Sequence, residues 1–106
     1  MSKFMRILVL FDLPTKEEKE RKEYQRFRKF LIEDGYDMMQ YSIYMRICNG
    51  LDSVDKHIKR LKCNLPPRGA IRCLTITEKQ FASMLLLLGK PSKKEEKIRV
   101  EQLSLF

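Results

Sequence analysis

A nearly unbroken apolar run occupies residues 4–11 and ends abruptly at Asp12. Its short length and its β-branched and aromatic residues predict a strand that is covered on both faces, and therefore the centre of a sheet. Pro14 stops this strand, because proline has no backbone N–H to donate and disfavours helix at the residue before it. We therefore expect Asp12 at the carboxyl end of a central strand, where α/β folds usually place their chemistry.

A helical period follows the first strand. Thr15 and Glu18 have the spacing of a capping box, so the first helix is expected to start at Thr15 and to run to Asp34, with Gly35 ending it. The apolar positions predict the face that covers the sheet: Tyr24, Phe27, Phe30 and Leu31.

Basic residues lie beside that apolar face. This basic stripe consists of Lys16, near the helix start, followed by Lys19, Lys22, Arg26 and Lys29. Such a row of cations is suited to the phosphate backbone of a nucleic acid. The alternative is a solvated helix side balanced by Glu20, Glu23 and Glu33, because oppositely charged pairs are common on exposed helix faces. The sequence leaves both interpretations open.

Within residues 36–47, Tyr41, Ile43, Met45 and Ile47 alternate with Ser42, Tyr44 and Arg46, which predicts strand. No Asn-Gly or Asp-Gly turn divides them, so one bent strand and two short strands both fit. Asn49 and Gly50 signal a turn, and a second helix is expected after them with Asp52 as its cap. Its apolar face is Leu51, Val54, Ile58 and Leu61, with Leu65 as a further candidate, and its outer side carries Lys56, Lys59, Arg60 and Lys62.

Beyond a helix-breaking pair of prolines, residues 70–77 are predicted to form a strand in which Leu74 and Ile76 are buried. A short helix is expected over residues 81–88. Its segment 84–88 is apolar all round, which is more than the surface helix of a small domain buries by itself. We expect a protein interface there.

The composition changes at residue 90. We predict one domain over residues 1–89, followed by a charged linker and an interaction strand over residues 90–106. The apolar residues of the tail are expected to pair with the sheet edge of another subunit: Ile98, Val100, Leu103 and Leu105. A frayed terminus is the alternative.

Charge points to the class of partner. The chain of 106 residues carries 22 basic and 14 acidic residues, a formal charge of +8. This balance favours a polyanionic partner such as nucleic acid over an acidic small molecule. No apolar stretch is long enough to span a bilayer and no signal peptide is recognisable, so we expect a cytoplasmic protein without a membrane partner.

The cysteine and histidine content restricts the chemistry. Three cysteines, an odd number without a Cys-x-x-Cys pair, suggest neither a disulfide framework nor a zinc site. His57 is the only histidine, which removes most histidine-based metal sites and the usual Ser-His-Asp systems. Because it lies among lysines and arginines, we predict a solvated surface position for it.

The predicted order of strand, helix, strand pair, helix and strand is that of the ferredoxin-like sandwich, an α+β fold. Two segments are more specific. Residues 8–14 (LVLFDLP), followed by a basic helix, and residues 40–44 (QYSIY), followed by a short basic helix, resemble the CRISPR-associated protein two family. The resemblance covers most of the chain.

The resemblance implies a fold, partners and site residues. Members of that family are homodimers of ferredoxin-like protomers whose extra C-terminal strands cross onto the partner. They join the CRISPR-associated integrase, protein one, in capturing fragments of invading double-stranded DNA and inserting them as new spacers. Some members are assigned a metal-dependent endonuclease activity on RNA or double-stranded DNA. The acidic position of the family corresponds to Asp12, its hydroxyl position to Ser42, and its tail contact to residues 98–106.

Asp12 is the expected metal ligand. Mg²⁺ is usually held by one or two carboxylates together with waters and substrate phosphate. In a two-fold dimer whose axis passes near the ends of the first strands, Asp12 of each protomer contributes one carboxylate to a shared Mg²⁺ or Mn²⁺ ion. The alternative is that Asp12 bonds only to the amides of its local turn.

Together these inferences predict a basic homodimer that binds double-stranded DNA and scaffolds the integrase during spacer integration. Whether the protein is itself an enzyme stays open, because no histidine or second carboxylate is an obvious general base. The main rival is a genuine Mg²⁺-dependent endoribonuclease or endodeoxyribonuclease with Asp12 and Ser42 as catalytic residues. A single-strand RNA-binding module is set aside, because residues 40–49 lack its aromatic signature. A small-molecule regulatory domain is disfavoured by the charge.

Overall fold

Seven elements follow one another in the computed structural model, which describes residues 3–91. They are β1 (Phe4–Asp12), α1 (Glu18–Glu33), β2 (Asp37–Gln40), β3 (Ile43–Asn49), α2 (Leu51–Lys62), β4 (Ala70–Thr77) and α3 (Glu78–Ala82). The order of the first six is the predicted ferredoxin-like order. Residues 36–47 form two strands separated by the turn at Tyr41 and Ser42, which settles the number that the sequence left open.

The four strands form one antiparallel sheet in the order β2-β3-β1-β4. The apolar run therefore lies at the centre of the sheet, as predicted. Asp12 pairs with Ala70 of β4, while Leu10 pairs with Ile43 of β3 on the other side. Both neighbouring strands thus contribute residues to the end of β1 that carries Asp12.

Helices α1 and α2 cover one face of this sheet. The alternation of β1 sends Ile7, Val9 and Phe11 to that face, where they join Phe27 and Leu31 of α1 in the main core. The ring of Phe11 meets that of Phe27 edge to face, with centroids 5.5 Å apart. The apolar face predicted for α1 is confirmed by this packing.

On the opposite face, which we call the open face, α3 is the only helix within residues 3–91. Phe81 of α3 packs against Leu8 and Met45, and the buried guanidinium of Arg6 lies 3.8 Å from the centre of the Phe81 ring. Arg6 also donates to both carboxylate oxygens of Glu78, at 2.5 and 3.0 Å. This bidentate pair fastens α3 to the sheet.

Leu74 lies on the open face and is 54% exposed, so its predicted burial is wrong. It belongs to the edge strand β4, beyond the cover that α3 gives to the middle of the sheet. Leu51 was likewise predicted on the core face of α2, and it is 67% exposed because it is the first residue of that helix.

Both helix starts differ from prediction. The first helix begins at Glu18 with Glu17 as its N-cap, whose N–H donates to the carboxylate of Glu20 at 2.9 Å. Arg21 donates to the backbone carbonyls of Thr15 and Lys16, at 3.2 and 2.6 Å. These two residues therefore precede the helix instead of forming its first turn.

Gly50, with φ of 92°, is the N-cap of α2, and Asp52 lies in its first turn rather than at the cap.

His57 is 8% exposed, so the predicted surface position is wrong. Its Nδ1 lies 2.9 Å from Oδ2 of Asp34, and Nε of Arg60 lies 2.7 Å from Oδ1 of the same carboxylate. Arg46 of β3 donates to the Asp34 backbone carbonyl. A buried carboxylate without such partners is strongly disfavoured, which explains why a histidine within a basic helix turns inward.

The third helix is shorter than predicted and ends at Ala82. The Ser83 hydroxyl donates to the Gln80 carbonyl at 2.7 Å, a local bond that competes with continuation of the helix. Residues 84–88 follow without helix, and Leu87 is 89% exposed. Residues 92–106 lie outside the described residues, and with them the predicted contacts of Ile98, Val100, Leu103 and Leu105. Within residues 3–91, no helix is long and apolar enough to cross a membrane.

Candidate functional site

Asp12 and Ser42 lie at the same end of the sheet. The N–H of Phe11 donates to the carbonyl of Ser42 at 3.1 Å, which ties the turn after β2 to the end of β1. Asp12 is exposed, and within residues 3–91 its carboxylate makes no hydrogen bond or ion pair. The alternative in which Asp12 bonds to the amides of its own turn therefore has no support in the geometry.

Ser42 has φ of 63°, the only positive value at a non-glycine residue in the described part of the chain. This left-handed conformation costs roughly 1–2 kcal/mol for a residue with a side chain. Strained backbone of this kind is often found at functional turns, and here it coincides with a predicted site residue.

Gly69 packs against the backbone that carries Asp12. Its φ is 108°, and a Cβ at this position would lie 2.7 Å from the Asp12 carbonyl oxygen and 2.6 Å from Cδ2 of Leu13. Only a residue without a side chain fits both the space and the backbone angle. Gly69 thereby fixes the position of Asp12 from the β4 side, and a Pro-Pro-Arg-Gly turn is the only local pattern that points to this role.

A single chain brings one carboxylate to this position. Within residues 3–91, no three His, Cys, Asp or Glu side chains are grouped closely enough to hold a metal ion. One exposed aspartate is a poor site for Mg²⁺ by itself, because only one protein oxygen replaces its waters. A stable site requires a second Asp12 or substrate phosphates.

The basic stripe lies on the exposed side of α1. Three of its residues pair with glutamates of the same helix: Lys22 with Glu18 at 3.5 Å, Arg26 with Glu23 at 2.9 Å, and Lys29 with Glu33 at 3.9 Å. Lys16 and Lys19 make no ion pair within residues 3–91. Exposed ion pairs contribute little to stability. Lys22, Arg26 and Lys29 can therefore exchange their glutamate partners for phosphates at small cost in free energy.

A cleft of about 260 Å³ lies beside Asp12, between the start of α1 and the loop before β4. Its apolar lining is Leu13, Pro14, Tyr24, Pro66 and Pro67, and its charged lining is Lys19, Arg68, Glu17, Glu20 and Glu23. Sequence reasoning missed it, because its two walls are more than forty residues apart in the chain and neither has a recognisable motif.

A sequence profile of the family described as CRISPR associated protein Cas2 matches residues 5–84. The chain belongs to this family. The match includes Asp12, Ser42 and Gly69, the basic stripe and both walls of the cleft, and it leaves out the C-terminal tail. The predicted family resemblance is confirmed.

Individual relatives agree with this assignment. The chain is 54% identical over 102 residues to the CRISPR-associated endoribonuclease Cas2 of Acidovorax ebreus, covering 96% of this chain and 100% of that protein. It is 56% identical over 87 residues to the protein of the same name from Campylobacter jejuni, covering 82% of this chain and 61% of the relative.

A solved structure titled "Crystal structure of cas2" superposes with a TM-score of 0.58 at 17% identity, covering 85% of this chain and 92% of the other. At that identity the superposition supports the Cas2 fold alone.

Proposed function

We propose that this chain acts in CRISPR adaptation as a basic homodimer that binds double-stranded DNA and scaffolds the CRISPR-associated integrase, protein one, during spacer integration. The observation that carries the proposal is the exposed basic stripe on α1 in a chain of net charge +8. From Lys19 to Lys29 the stripe extends ~15 Å at the helical rise per residue. That length reaches several phosphates of one duplex.

The open face supports a homodimer. Apolar side chains of this face are exposed within residues 3–91: Leu74 of β4 is 54% exposed and Phe4 of β1 is 44% exposed. The apolar segment 84–88 continues from α3, which is itself fastened to that face. Contiguous exposed apolar surface of this kind marks a protein interface, and a second copy supplies a matching surface through a two-fold axis.

A second candidate function is a Mg²⁺-dependent endonuclease acting on RNA or DNA; the relatives are named CRISPR-associated endoribonuclease Cas2, which agrees with cleavage of RNA. The exposed, unpaired Asp12 beside the strained Ser42 favours it. In this proposal, Asp12 of two protomers would hold one Mg²⁺ or Mn²⁺ ion, which supplies a Lewis acid and an activated water when bound. Ser42 would contribute its hydroxyl next to the bound phosphate.

The salt dependence of duplex binding tests the scaffold proposal. The variant removes three charges of the stripe: Lys19→Gln, Lys22→Gln and Lys29→Gln. Arg26 is retained, because it donates to the Asn64 carbonyl at 3.3 Å and thereby connects α1 to the end of α2. The matched control removes three charges from α2: Lys56→Gln, Lys59→Gln and Lys62→Gln.

We expect the stripe variant to bind duplex DNA more weakly and to reduce the slope of log affinity against log salt by about 2–3, roughly one per lost phosphate contact. The α2 control should retain most of the slope. Equal losses in the two variants would show that net charge alone attracts the duplex, and the proposal for the stripe would then be wrong.

A further inference from the structure

The cleft beside Asp12 is not needed for binding a duplex. Leu13 and Pro14 of its wall directly follow Asp12, and Arg68 directly precedes Gly69, which touches the Asp12 carbonyl. Any group held in the cleft therefore lies next to the candidate metal position. The question is which chemical group fits.

The walls suit a flat apolar ring. Tyr24 provides an aromatic surface, and Leu13 and three prolines complete an apolar lining of about 260 Å³, large enough for one planar base. Aromatic side chains stack on any nucleobase, since every base has a π-face. Bases inside a duplex are stacked on each other and cannot enter, so only an unpaired base reaches such a cleft.

The charged residues that line the cleft offer partners for both parts of a nucleotide, the phosphate and the base. Lys19 and Arg68 line the cleft and make no ion pair within the described part of the chain, so they are available to phosphate. Three glutamates also line it: Glu17, Glu20 and Glu23. Glu20 accepts from the Glu17 N–H and Glu23 pairs with Arg26, and the remaining lone pairs of these carboxylates can accept from the amino groups on a base edge.

A second aromatic ring extends this surface towards Ser42. Tyr41 precedes Ser42 in the turn and is 77% exposed. Burial, and after it a hydrogen bond with Tyr41, raise the pKa of Tyr24, so its phenol remains protonated at neutral pH. Tyr41 is therefore a second, exposed ring near Tyr24 and directly precedes Ser42 in the chain.

We infer that this cleft binds an unpaired nucleobase stacked on Tyr24, with the adjoining phosphate held by Lys19 and Arg68. The nucleic acid presented to Asp12 then carries a single-stranded end rather than a blunt one. This inference rests on the proposed function, since it requires that nucleic acid lies over α1.

The test compares two DNA duplexes of equal length. One is blunt, and the other carries a short overhang with 2-aminopurine at its first unpaired position. We expect the wild-type chain to bind the overhang duplex roughly tenfold more tightly and to quench 2-aminopurine fluorescence, as base stacking on an aromatic ring predicts. Tyr24→Leu and Arg68→Gln should reduce this preference, while Tyr24→Phe, which keeps the ring, and Lys59→Gln on α2 should retain it.

Other outcomes overturn the inference in distinguishable ways. Equal affinity for both duplexes without quenching means that the cleft takes no base, while the proposed duplex binding stands. Binding of neither duplex overturns the proposed function and this inference with it. If Tyr24→Leu fails to fold, Arg68→Gln and Tyr41→Ser decide the question.

Discussion

The carbonyl of Ser42 accepts a hydrogen bond from the Phe11 N–H at 3.1 Å, so the strained turn and the end of the central strand are one structural unit. The backbone and the hydroxyl of Ser42 therefore have separable roles. The backbone supplies the tie to β1, and the hydroxyl is free to serve as the predicted catalytic group.

Two substitutions separate these roles. Ser42→Gly removes the hydroxyl and relieves the left-handed strain, whereas Ser42→Ala removes the hydroxyl and keeps the strain. We expect Ser42→Gly to be more stable than Ser42→Ala by about 1 kcal/mol in chemical denaturation. Both should lose nuclease activity equally if the hydroxyl acts in cleavage. Full activity in Ser42→Gly would contradict a role for the hydroxyl.

Gly69→Ala should be strongly destabilising. The added Cβ meets both a strained φ and the Asp12 and Leu13 atoms less than 3 Å away, so we expect a loss of about 2–4 kcal/mol in the free energy of unfolding. Gly50→Ala is the matched control, because Gly50 has a similar φ of 92° and no atom within 4 Å of the added Cβ. It should lose only about 1–2 kcal/mol. Equal losses would mean that Gly69 does not support Asp12 by contact.

Substitutions at two neighbouring acidic residues, Asp34 and Glu33, test the buried contacts of Asp34 with His57 and Arg60. Asp34→Ala leaves His57 and Arg60 without their carboxylate, and we expect it to cost about 2–3 kcal/mol in thermal or urea unfolding. Glu33→Ala removes an exposed carboxylate whose pair with Lys29 spans 3.9 Å, and it should change stability by less than about 0.5 kcal/mol. A small effect of Asp34→Ala would show that water replaces the buried carboxylate without cost.

The periodic elements were predictable because their signal is local. The apolar run ending at Asp12 and the strand over residues 70–77 were confirmed, since alternation and β-branched residues specify each strand without help from the rest of the chain. The predicted start of α1 was wrong. The pairs Thr15–Glu18 and Glu17–Glu20 both have the spacing of a capping box, and the bonds made by Glu17 and Arg21 decide which of the two caps the helix.

Sequence analysis missed the features that are built from residues of several helices and strands. The burial of His57 depends on Asp34, Arg46 and Arg60, which come from three different parts of the chain. The cleft beside Asp12 likewise joins two distant segments. Neither arrangement leaves a pattern in the local sequence, whereas the apolar run predicted Asp12 at the end of the central strand and the family resemblance pointed to Ser42.

Asp12→Ala distinguishes the two candidate functions. The substitution removes the Asp12 carboxylate as a ligand for Mg²⁺, while that side chain makes no hydrogen bond or ion pair within residues 3–91 that the fold would lose. We therefore expect the variant to unfold within about 0.5 kcal/mol of the wild type. Its binding to duplex DNA should be retained, because that binding is assigned to the basic stripe.

The measurement is spacer acquisition in cells that carry Asp12→Ala, with a parallel pull-down of the integrase to verify that the complex still forms. Under the scaffold proposal we expect acquisition to continue, because the integrase performs the strand transfer. Asp12→Asn, which keeps the shape of the side chain, serves as the matched variant and should behave in the same way. Loss of acquisition in both variants with an intact complex would instead favour metal-dependent chemistry at Asp12.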